Sequence, residues 1–204
     1  MTDPIAKTMQ LLTTTANSHV VEVLILTLDI SNEHVQNLAA VTLLKRDSTR
    51  GQIEVIRRLH TLCPETHSSI ESEISRLSNA LRKSLIHGDD ELRKNGLELI
   101  QMIENYGQIS TLLEMLKNDR SELNQLAVGT LRELINRLYE QSHFDKKSGG
   151  PGKFLRNAAQ IRHAVLTSFD SACASLDKLA HAEEVIEGVL ILGNVQNFAV
   201  KKVL

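Results

Sequence analysis

The feature that most constrains this chain is a short frame that recurs along it. Val35-Gln36-Asn37-Leu38-Ala39-Ala40 returns 160 residues later as Val195-Gln196-Asn197-Phe198-Ala199-Val200. Between these lie Leu92-Arg93-Lys94-Asn95-Gly96-Leu97, Leu123-Asn124-Gln125-Leu126-Ala127-Val128 and a weaker copy, Leu155-Arg156-Asn157-Ala158-Ala159. The first position is Val or Leu, the second is Gln, Arg or Asn, and the fifth is always small. Residues four apart share a helix face, so Ala39, Gly96, Ala127, Ala159 and Ala199 would let a neighbouring helix approach closely. The polar second position is expected to point away. The starts at 35, 92, 123, 155 and 195 are 57, 31, 32 and 40 residues apart. The step of 57 reads as two short units and that of 40 as one unit with an insertion. Units this short cannot bury an apolar face alone and are completed by their neighbours. The frame therefore predicts an all-α chain, an α-solenoid of stacked antiparallel helix pairs forming a single domain over residues 1–204.

Helix punctuation agrees with this pattern. Asp3-Pro4 starts a first helix reaching about Ala16, because a capping carboxylate and a proline at the first helical position suit a helix N-terminus. Val20 to Ile30 reads as a core helix, and residues 1–30 as N-terminal capping helices. Ser31 is expected to cap the helix that carries the first frame. A helix through Ile53, Ile56, Leu59 and Leu62 is closed by Pro64. Ser68 and Glu71 have capping-box spacing for a helix through Ile74, Leu77, Leu81 and Leu85, with Gly88 in its C-terminal turn. Asp89 caps the next helix, Tyr106-Gly107 breaks it, and Ile109 to Leu116 follows. Asp119 and Glu122 open a long helix to about Gln141. Residues 142–153 form a basic, Gly-rich loop, and 154–204 hold further repeats, the last incomplete. The clearest repeats fall within 31–141.

Composition narrows the function classes. Leu, Ile, Val and Phe make up 63 of the 204 residues, whereas aromatic residues are 3% and Trp is absent. Disordered, collagen-like and disulfide-scaffold classes are excluded on these grounds. With 23 Lys+Arg against 25 Asp+Glu the net charge is −2, which offers no global field for nucleic acid or anionic lipid. The first residues lack a basic region followed by a long apolar stretch, and no run approaches the roughly 20 residues of a membrane helix, so a cytoplasmic protein is expected. Cys63 and Cys173 are read as reduced, buried thiols.

The aliphatic-polar-x-x-Ala/Gly frame, preceded by acidic caps as at Asp89 and Asp119, resembles the first helix of HEAT repeats in the armadillo-like superfamily. The resemblance is clearest over residues 89–141 and extends from 31 to 204. His163, in an aliphatic column of the fourth unit, and the unrecognisable unit near residue 63 depart from it. The resemblance implies a non-enzymatic scaffold or adaptor with no cofactor, binding a protein or peptide partner on a concave face lined by second helices. Arg50, Arg57 and Arg58, with Lys45-Arg46 beside them, are the first candidates for that contact. The alternative is a HEAT-like enzyme or nucleic-acid-processing domain with a cleft that sequence does not reveal. One version of it is excluded and a second fits poorly. No histidine is followed by Glu, as the superfamily's diiron hydroxylases require, and there is no Trp or basic excess of the kind its DNA glycosylases use.

Three local patterns have ligand-like or interface-like chemistry. Lys146, Lys147, Lys153, Arg156 and Arg162 surround a Gly-rich stretch and would suit an acidic segment or phosphate. That stretch is not a phosphate-binding loop, because the required first Gly is missing, Phe154 stands where Ser or Thr would hold magnesium, and no strand precedes it. His60, Cys63 and His67 have ligand-like spacing, yet a structural zinc site needs four ligands and no second Cys is near, so no metal is expected. Phe198, Val203 and Leu204 are expected to form an open apolar edge for self-association or further chain.

Overall fold

A computed structural model of the chain describes residues 3–46, 48–116, 122–148, 161, 163–169, 171, 174 and 183. The fold is all-α, with no strand among the described residues. The helices are α1 (Pro4–Thr14), α2 (His19–Thr27), α3 (Glu33–Lys45), α4 (Thr49–Arg57), α5 (Pro64–Ser72), α6 (Ile74–His87), α7 (Asp90–Met102), α8 (Ile109–Met115) and α9 (Glu122–Ser148). Short 3-10 turns follow α4 at Leu59–Thr61 and α7 at Tyr106–Gln108. No helix among the described residues is long and apolar enough to cross a membrane. The chain divides into two compact units, Met1–Leu99 and Ile100–Leu204.

In the first unit, helices pack on their second neighbours. α1 packs on α3 and α3 on α5, while α2 packs on α4 and α4 on α6; α3 also joins the two rows through α2 and α4. Local chemistry sets the helix starts. Asp3 caps α1 by accepting from the Ile5 N–H at 2.9 Å, as the sequence predicts. The cap of α3 is Asn32 rather than Ser31; its Oδ1 accepts from the Val35 N–H at 3.1 Å. Asp89 caps α7 through the Leu92 N–H at 2.9 Å.

The region around residue 63 departs from the sequence reading. Pro64 closes the preceding segment and also opens α5 from its first position, with Cys63 extended at φ −68° and ψ 155°. Ser68 and Glu71 therefore lie inside α5 instead of capping a helix, and α6 begins at Ile74. The proline overrides the capping spacing because its fixed φ nucleates a helix four residues earlier. The α5–α6 pair fills the 57-residue step with an additional helix pair. Thr66 and Ile70 are its buried contacts on α5.

The small fifth position of the frame behaves as expected wherever it is described. Ala39 and Ala127 are fully buried. Gly96 is buried too, and a Cβ there would sit 3.2 Å from Leu85 Cδ2 on α6. Val20 to Ile30 departs from a simple core helix. Val21, Leu24 and Leu28 are buried, whereas Val23 and Leu26 are 57% and 70% exposed.

In the second unit α8 packs on α9, and Ile109, Leu112, Leu113, Leu131, Leu134, Ile135 and Leu138 form its core. α9 runs on to Ser148 instead of stopping near Gln141, because no glycine or proline occurs between Gln141 and Gly149. Val165, Leu166 and Phe169 are buried, and His163 is exposed, so it does not continue an aliphatic column.

Candidate functional site

The polar second position of the frame does not point away. Gln36 and Asn124 are buried, and all three described second-position side chains reach the carbonyl end of the preceding helix. Gln36 Nε2 donates to Leu28 O at 2.8 Å, just past α2. Arg93 Nη2 donates to Ile86 O at 3.2 Å near the end of α6, and Asn124 Nδ2 donates to Met115 O at 3.3 Å at the end of α8. The last carbonyls of a helix have no partner within it, and burying them unsatisfied is costly, so a polar side chain from the next helix is drawn inward. Gln36 is the most heavily used: it also donates to Thr61 O at 3.4 Å and accepts from the Cys63 N–H at 3.2 Å. Asn95, in the fourth frame position, caps α4 by donating to Ile56 O and Arg57 O at 3.2 and 2.9 Å.

Asn95 thus holds the C-terminal end of α4, and α4, with Arg58 just past its last residue, carries the three arginines singled out from the sequence. Ser48 caps it through the Gly51 N–H at 3.3 Å. Its apolar side buries Val55 and Ile56, which turns Arg50, Arg57 and Arg58 toward the flanks. Each arginine meets an acid from another element. Arg50 pairs with Glu22 of α2 at 2.7 Å, Arg58 with Asp29 beyond α2 at 2.7 Å, and Arg57 with Asp89 before α7 at 2.7 Å. Glu54 lies between the last two and pairs with both Arg57 and Arg58. The result is a continuous row of alternating charge, Asp29–Arg58–Glu54–Arg57–Asp89. The Arg58 guanidinium donates to Asp29 and holds its carboxyl below the usual range. Asp89 is also lowered, first by the Leu92 N–H and then by Arg57. Sequence reasoning identified the arginines but not their acidic partners, because the partners lie 28 to 32 residues away in the chain.

The other candidates separate. His60 turns to Glu98 at 3.3 Å, and the ring of His67 sits 3.0 Å from Leu59 O. Cys63 Sγ is 3.1 Å from Thr66 Oγ1. No group of three metal-ligating side chains occurs among the described residues. Arg46 is spent on structure, donating to Leu12 O and, at 3.1 and 3.2 Å, to Thr15 O and Asn17 O after α1. Lys146 and Lys147 fall within the backbone of α9, while Lys153, Arg156, Phe198, Val203 and Leu204 lie outside the described residues.

The second unit repeats one element of this row. Arg137 of α9 pairs with Glu133 one turn before it and with Glu104 beyond α7 at 2.9 Å, and it donates to Gln101 O at 3.3 Å. An arginine with a glutamate at i−4 thus anchors an acid just past an earlier helix in both units. No protein-family model matches the chain, and no curated protein matches it either.

Proposed function

We propose that the chain is a non-enzymatic helical-repeat scaffold of the HEAT-like, armadillo type, a solenoid of stacked helix pairs whose second helices present side chains to a protein or peptide partner. The row on α4 carries this reading. Each guanidinium has five N–H donors, and the acids on either side use only part of that set while fixing its direction. A partner's carboxylates or backbone carbonyls would therefore meet pre-oriented donors on Arg50, Arg57 and Arg58, with little side-chain freedom left to lose. The repeated clamp of a second-position side chain on the preceding helix end supports the repeat part of the reading.

The test is affinity capture from the native cell with the wild-type chain and with the double variant Arg50→Ala, Arg57→Ala, followed by mass spectrometry. The same partner should be recovered at least fivefold less by the variant, with unchanged helicity and melting temperature. Equal recovery by both proteins would overturn the assignment of the site.

A further inference from the structure

We draw no further inference here: the strongest candidate, the exposed apolar stripe of Val23 and Leu26 on α2, continued by Ile30 just past the helix, is a surface patch for which nothing in the structure shows what covers it.

Discussion

The end of α2 in the first unit and the end of α7 in the second carry the same arginine anchor but terminate their helices differently. At α2 the closure comes from outside: Gln36 reaches in to bond Leu28 O, and Arg58 holds Asp29. At α7 the backbone closes on itself. The Asn105 N–H bonds Ile100 O and the Glu104 N–H bonds Gln101 O, the paired bonds of a Schellman turn. That turn needs a left-handed residue, and Glu104 takes it at φ 49°, the one non-glycine residue with positive φ among the described residues. A glycine would adopt this conformation without strain. Glu104 retains its place through its carboxylate, which Arg137 holds. One anchor therefore serves two terminations, fixing a relaxed turn in one unit and a strained one in the other.

Three measurements would break or sharpen this contrast. The largest effect is expected at Gln36, because the α2 end depends on an external clamp. Gln36→Met would leave Leu28 O and the Cys63 N–H buried without this partner and should cost about 2–3 kcal/mol in denaturant unfolding. A cost below about 0.5 kcal/mol would show that α2 closes without it. Next comes backbone strain. Glu104→Gly and Glu104→Ala both remove the carboxylate, yet only glycine fits the left-handed turn, so the glycine variant should be the more stable by about 1 kcal/mol. At Asp29, whose φ is not positive, Gly should give no such advantage over Ala. The same ordering at both sites would erase the distinction between the two turns.

The smallest effect concerns acid. The carboxyls of Asp29 and Asp89 are held below their ordinary value of 3.8, as is that of Asp3, which accepts from the His34 ring and the Ile5 N–H. Carboxyls lowered in the folded state contribute stability above pH 3.8 that is lost as pH falls through their lower folded-state values. Because these groups are exposed, the loss should be modest and should shrink with added salt. Unfolding titrations from pH 7 to pH 2 should show it in the wild type and less of it in Arg58→Ala. An unchanged acid response in Arg58→Ala would remove the anchor's electrostatic role at α2.

Much of the helix pattern was legible because its signals are local. Asp3-Pro4, Asp89 and the small residues at 39, 96 and 127 act within a turn of where they stand. α5 was not legible, because Pro64 both ends one segment and starts another and the frame is absent there. The inward turn of Gln36, Arg93 and Asn124 was also missed. A polar residue beside an aliphatic stripe looks solvent-facing until the unsatisfied carbonyls of an earlier helix are placed next to it. For the candidate site, the arginines could be picked from their position on a second helix. Their pairing with Glu22, Asp29 and Asp89 depends on which helices stack and is not encoded within any short window.

α1 packs on α3 but buries none of its side chains fully, and it is held at its ends by Arg46 beneath its C-terminal turn and the His34–Asp3 contact at its start. A helix with so little buried area can detach without dissolving the rest of the unit. Its amides should exchange with solvent through local opening, orders of magnitude faster than those of α3, and a protease should nick the chain first between Thr14 and His19. Residues 4–18 should then behave thermodynamically as a tether, whose release exposes the flank of α3.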